Sequence, residues 1–167
     1  MSERKTIQKW FWVWEFEKEE EWLNDMALQG WVLDGIGFCK YHFVHCKPGE
    51  YIVRLQLEDA DSNYMEFMKE INAEYIGHMA KWIYFRRKAD YGIFEITSDL
   101  DSRIAHLDRI GKMLSAIGFA NIAIGIANSS HSGLGIINLL CACAVMYALG
   151  RIHGKKEDLK NERTLHE

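Results

Sequence analysis

At 167 residues the chain has room for one ordinary domain and an appendage. A formal net charge of −4 and a pI near 6.0 leave no basic excess for a nucleic-acid surface, so direct nucleic-acid binding is excluded. Four cysteines without CxxC spacing (Cys39, Cys46, Cys141, Cys143) exclude a disulfide scaffold and fit a reducing compartment.

The first thirty residues carry charges throughout and contain no apolar signal-peptide core, which places the amino terminus where it is made. Residues 6–16 read as a strand. In "KWFWVWEF" (residues 9–16) Trp10, Trp12 and Trp14 fall on one side of an extended chain, with Phe11 and Val13 on the other. "EKEEEWLNDMALQG" then reads as a helix with Trp22, Leu23, Met26 and Ala27 on one face, and Gly30 ends it. Its acidic run, Glu17 to Glu21, suits a solvated helix start favoured by the macrodipole better than a catalytic carboxylate pair. Trp31 to Cys46 reads as one long strand with a bulge or bend at Gly35 and Gly37.

After the "CKPGE" turn, Tyr51, Val53, Leu55 and Leu57 alternate with Arg54, Gln56 and Glu58, the pattern of a strand with one wet face. Asp61 or Ser62 caps a second helix carrying Tyr64, Phe67, Met68 and Ile71, and "YIGHMAKWIYFRRK" forms the next strand. This order is a ferredoxin-like βαββαβ: one four-stranded antiparallel sheet with two helices on one face. In that arrangement the tryptophans pack beneath the helices. Phe11, Val13, Phe38, His42, Arg54 and Gln56 lie on the open face as a candidate surface for a partner or ligand, alongside Asp34 and Lys40.

"YGIFEIT" adds a short strand, and "SDLDSRIAHLDRIGKML" a helix capped by Ser98 or Asp99 with Ile104, Leu107, Ile110 and Leu114 on one stripe. Residues 113–150 then contain no Asp, Glu, Lys or Arg. Two apolar blocks flank the polar turn "NSSHSG", and each approaches the roughly 17–25 residues that a membrane-crossing helix needs. Arg103, Arg109 and Lys112 precede the run, and Arg151, Lys155, Lys156, Lys160 and Arg163 follow it. The positive-inside rule puts both termini in the cytoplasm. The expected organisation is a cytosolic α+β domain at 1–90, a short strand and connecting helix at 91–112, a two-helix transmembrane hairpin at 113–150, and a charged cytosolic tail at 151–167.

The chemistry-bearing residues form no catalytic set. Cys39, His42, His45 and Cys46 on a single strand would be spread over ~13–20 Å, too far apart for zinc. Asp99 and Asp101 resemble half of a calcium loop without its Gly and closing Glu, and capping explains them better. No G-x-S-x-G or phosphate-loop pattern occurs. No catalytic, cofactor-binding or metal-binding residue is expected.

"WLNDMALQGW" (residues 22–31), the aromatic opening strand and "WIYFRR" (residues 82–87) followed by "ITSDLDSRI" resemble an uncharacterised bacterial domain-of-unknown-function family. Its members are often encoded beside PadR-type transcriptional repressors and often end in membrane helices. The resemblance implies a protein of the bacterial cytoplasmic membrane with a regulatory cytosolic domain. The functional expectation is a membrane-anchored, non-enzymatic sensing or regulatory module. Its partners would be the lipid bilayer, a PadR-type regulator, a membrane protein, or a second copy of the chain in a homodimer. A small-ligand or cofactor-binding protein and an accessory subunit of a membrane transporter are the alternatives.

Overall fold

The computed structural model describes residues 3–58, 62–96, 100–129 and 133–166, with side chains described as far as residue 162. The cap positions Asp61, Ser98 and Asp99, and residues 130–132 of the polar turn, lie outside the described residues. The chain divides into two compact units, Met1–Ile96 and Thr97–Glu167.

The first unit is α+β, built from two successive copies of one motif. β1 (Arg4–Gln8), α1 (Phe16–Leu28), β2 (Trp31–Gly37) and β3 (Lys40–His45) form the first copy. β4 (Tyr51–Leu57), α2 (Ser62–Glu70), β5 (Glu74–Met79) and β6 (Trp82–Lys88) form the second. Each copy makes a three-stranded antiparallel sheet with its last strand in the middle, in the orders β1-β3-β2 and β4-β6-β5. Even the irregularities match: the register shifts between Leu33 and Gly35 in β2, and between Tyr75 and Gly77 in β5. The bulge expected at Gly35 is therefore present, and it has a twin.

This βαββ-βαββ arrangement replaces the single four-stranded ferredoxin-like sheet. Both long strands are in fact hairpins, turning at Phe38–Cys39 and Ala80–Lys81. Cys39 and Ala80 both adopt φ 54°, a region where non-glycine residues are uncommon, so neither turn carries the usual Asn-Gly or Gly signature. The opening strand is also shorter than expected. β1 pairs with β3 from Arg4↔Val44 to Gln8↔Lys40 and then loses its partner, because β3 itself turns at residue 39. A last bond runs from the Lys9 N–H to the Cys39 carbonyl at 3.2 Å. The chain then enters a 3-10 turn at Val13–Glu15 instead of continuing as a strand.

Sheet β4-β6-β5 is covered on both faces. Ile83 and Phe85 pack with Met68 of α2, Ala73 and Phe94. Tyr84, Val53 and Leu55 face a second core shared with Leu23 and Met26 of α1, Val32 and Leu33 of β2, and Tyr41 and Phe43 of β3. A strand buried on both sides loses its alternation, which is why "WIYF" is continuously apolar. Residues 91–96 form no strand: a 3-10 turn (Ala89–Tyr91) leads to an irregular segment that folds onto the sheet. Arg87 clamps it, donating to the Gly92 and Ile93 carbonyls at 3.0 and 2.6 Å with its guanidinium over the Phe94 ring.

α1 also seals the free edge of β4. Asn24 Nδ2 donates to the Val53 carbonyl at 3.0 Å and its Oδ1 accepts from the Val53 N–H at 2.9 Å, as a neighbouring strand would. The Glu20 carboxylate accepts from the Leu55 N–H at 2.9 Å. Unpaired edge groups invite association, and here a helix from the first copy satisfies those of Val53 and the Leu55 N–H in the second.

The second unit is a helical hairpin of α3 (Leu100–Ala127) and α4 (Leu134–His166). The connecting helix and the first apolar block are one continuous helix, and the charged tail continues the last. Both helices are long and apolar enough to cross a membrane. Glycines let them approach closely: a Cβ at Gly125 would stand 2.9 Å from Leu139, and one at Gly135 would stand 2.9 Å from the Gly125 carbonyl. Their outer surface is apolar, with Phe119, Ile126, Ile136 and Leu140 exposed. Asn121 and Asn138 each donate to the carbonyl four residues back in their own helix, and Asn128, just past the end of α3, donates to the Ile124 carbonyl.

Candidate functional site

The early loss of β1's partner has a local consequence. Where β1 ends, Trp10 and Trp12 emerge beside the tip of the β2–β3 turn, which carries Phe38. Trp10 packs edge-on against Trp12 and Phe38, with ring centroids 5.5 and 6.2 Å away. Trp12 in turn stacks on Trp14 at 5.1 Å with planes 6° apart. The Glu15 carboxylate fixes this link by accepting from the Trp12 N–H at 3.4 Å and pairing with Lys18 at 2.8 Å. Trp10, Trp12 and Phe38 remain 55, 50 and 77% exposed. With aromatic side chains of about 150–250 Å² each, they present on the order of 300–400 Å² of aromatic surface. A patch of that size on a folded unit commonly marks an interaction site.

The expected orientation is thus reversed. Phe11 turns inward, its ring 5.6 Å from Trp22 and 6.3 Å from Tyr41, with the Lys9 ammonium 4.7 Å above it. The tryptophans at 10 and 12 face out. Of the six surface residues read from the sequence, Phe38 belongs to the aromatic platform. Val13 is half-buried in the 3-10 turn. His42 lies on the exposed polar face of the first sheet, with its Nδ1 2.9 Å from the Thr6 hydroxyl. Arg54 pairs with Glu20 at 3.3 Å, and Gln56 is 4% exposed. The structure does not gather these six on one open face.

The acidic run likewise departs from a fully solvated helix start. Glu19 is buried, and its Oε1 accepts from the Tyr41 hydroxyl at 2.8 Å and the Tyr84 hydroxyl at 2.7 Å. One carboxylate therefore ties α1 to the central strand of each sheet. Burial pushes the Glu19 carboxyl above its ordinary range, partly offset by the two tyrosine donors. Burial also raises both tyrosines, and the neighbouring carboxylate raises them further. Glu20 is raised as well, by burial that outweighs Arg54. A signal for Glu19 exists in the sequence: it lies four and seven residues before Leu23 and Met26, on the same helical stripe.

A cleft of about 690 Å³ opens between α2, β5 and β6. Tyr75, Phe85 and Tyr91 line it together with Lys69 and Lys88, a mix suited to a small amphipathic ligand. Cys39 sits in the β2–β3 turn, while His42 and His45 lie on β3. Among the described residues no three His, Cys, Asp or Glu side chains come together as metal donors.

Residues 15–119 match the family model described as "Protein of unknown function (DUF2812)". The chain belongs to this family. The DUF2812 match spans α1 through the first part of α3, so it covers most of the tandem motif and the entry to the hairpin. No curated protein and no solved structure matches the chain.

Proposed function

We propose that this DUF2812 protein is a membrane-anchored, non-enzymatic regulatory module of the bacterial cytoplasmic membrane, with both termini cytoplasmic. Its folded unit recognises a protein partner through the Trp10–Trp12–Phe38 platform. The observation that carries this reading is the exposed aromatic cluster on a unit that shares its chain with two membrane-length apolar helices. The basic residues on both flanks of the charge-free run support the orientation. Trp and Phe are frequent anchors at partner interfaces, because large rigid rings bury much area at little entropic cost. A PadR-type regulator is the partner class that the resemblance implies.

Photocrosslinking tests it. With benzoylphenylalanine replacing Phe38 in membranes, irradiation should give one discrete adduct, and W10S/W12S should abolish it. Absence of an adduct, or one indifferent to both tryptophans, would overturn the assignment.

The cleft between α2 and β5–β6 favours a second reading, a small-ligand module. A stoichiometric small molecule in native mass spectra, lost in a Tyr75→Ala variant, would favour that reading.

A further inference from the structure

Where the apolar run of the hairpin meets its charged ends, α3 and α4 leave a crevice of about 380 Å³. Lys112, His153 and Lys156 line it, together with Asp108, and Leu107, Leu149 and Ile152 supply apolar walls. Gly111 lines it on the α3 side, where a Cβ would meet nothing within 4 Å, so the space beside this backbone is open. Residues 108–112 and 151–156 hold five basic side chains (Arg109, Lys112, Arg151, Lys155, Lys156) and one acidic side chain, Asp108.

Asp108 is occupied by Lys156 at 2.8 Å, and Glu157 stands 4.0 Å from His153. The Asp108 carboxylate also feels the Lys112 and Lys160 ammonium groups, which help to hold it below its usual range. Asp108 and Glu157 thus face Lys112, Lys156 and Lys160, two carboxylates against three ammonium groups, which leaves the crevice mouth one positive charge in excess. α3 and α4 contain 28 and 33 residues, which corresponds to roughly 42 and 50 Å of helix. Both exceed a hydrocarbon core of about 30 Å, so helix ends must project beyond it. With the charge-free residues 113–150 in the core, Lys112 and Arg151 fall at the boundary with the headgroups.

We infer that this crevice binds the phosphate of an anionic phospholipid, with Lys112 and Lys156 as its cationic contacts. Leu107, Leu149 and Ile152 then contact the glycerol backbone and upper acyl carbons. Lysine ammonium groups act as point charges toward phosphate, and basic pockets between membrane helices on the cytoplasmic side are suited to anionic headgroups. The inference rests on the membrane reading of the hairpin.

The test uses the full chain released gently from membranes, with phosphatidylglycerol and phosphatidylcholine compared by native mass spectrometry. Phosphatidylglycerol should be retained in preference, and K112Q/K156Q should weaken that retention roughly ten- to thirtyfold. R103Q, which removes a charge from the same helix outside the crevice, should leave it unchanged. K112R/K156R should preserve binding, and far-UV circular dichroism verifies helicity in every variant. Equal retention of both lipids, or indifference to K112Q/K156Q, overturns the site. Displacement of the lipid by millimolar inorganic phosphate assigns the crevice to a free anion and overturns the lipid assignment. Alkaline carbonate extraction separates the two levels. A chain that washes off membranes refutes the membrane reading and the site with it, whereas a retained chain without lipid preference refutes the site alone.

Discussion

Replacing Tyr84 by phenylalanine removes one of the two hydroxyls that hold the buried Glu19 carboxylate, at 2.7 Å, and leaves only Tyr41 at 2.8 Å. A hydrogen bond to a charged group contributes about 1.5–3 kcal/mol, and the ring itself stays in place, so the expected loss at pH 7.5 lies in that range. Protonation limits the loss. Burial already raises the Glu19 carboxyl above 4.5, and losing a donor raises it further, each unit corresponding to about 1.36 kcal/mol. Between the unfolded and folded pKa values the native state binds more protons, so stability falls as pH rises through that window. The deficit of Y84F should therefore be larger at pH 7.5 than at pH 5, because the protonated fraction of Glu19 grows as pH falls and a protonated carboxyl no longer requires two donors. All six tryptophans (10, 12, 14, 22, 31 and 82) lie in the first unit, so urea unfolding of the detergent-solubilised full chain can be followed by their fluorescence. With a urea dependence of about 1–3 kcal/mol per M, the midpoint should drop by roughly 1 M at pH 7.5. An unchanged midpoint, or the same drop at both pH values, would refute the reasoning.

E19Q removes the titrating group and should flatten the pH dependence of the same unfolding midpoint; a slope equal to that of the parent chain would assign the dependence elsewhere. Asn24→Ala strips the β4 edge of both its bonds to Val53 and should cost about 1–3 kcal/mol. Hydrogen exchange should then speed up at the Val53 amide ahead of the strand interior. Gly77→Ala places a Cβ 2.9 Å from Ile36 Cγ2, and such overpacking costs about 1–3 kcal/mol. Trimming Ile36 to alanine in the same chain should recover part of the loss, visible in the thermal midpoint. Gly135→Val drives a side chain against the Gly125 carbonyl and should splay the hairpin near its turn. Pulsed electron resonance between labels at residues 124 and 137 should lengthen, and an unaltered distance would argue against close packing there.

Helices were the most legible part of the sequence. The Trp22, Leu23, Met26, Ala27 stripe places α1 to within two residues, and the charge-free run marks the hairpin. The strands were less legible, for a specific reason. Reversals at Phe38–Cys39 and Ala80–Lys81 use non-glycine residues at positive φ, so each hairpin looks like a single strand, the first with a bend at Gly35 and Gly37. Once both turns are missed, the duplication is hidden too, since the two copies share little beyond a glycine at the bulge, Gly35 and Gly77. The aromatic platform was half legible. "KWFWVWEF" announces an unusual aromatic surface, but which rings face outward depends on where β1 loses its partner, a tertiary fact. Glu19 was obscured by its company, because four acidic neighbours at residues 15, 17, 20 and 21 make a solvated run the natural reading.

The reach of α1 across to β4 makes the two copies interdependent. A fragment beginning at Tyr51 would keep its whole sheet, β4-β6-β5, yet expose the backbone of Val53 and Leu55 along a bare margin. Such a margin templates strand addition from any neighbouring chain, so the severed half should assemble into fibrils or swapped dimers instead of standing alone. The repeated motif is thus expected to unfold as one body, since the second sheet's margin is finished only by the first copy's helix.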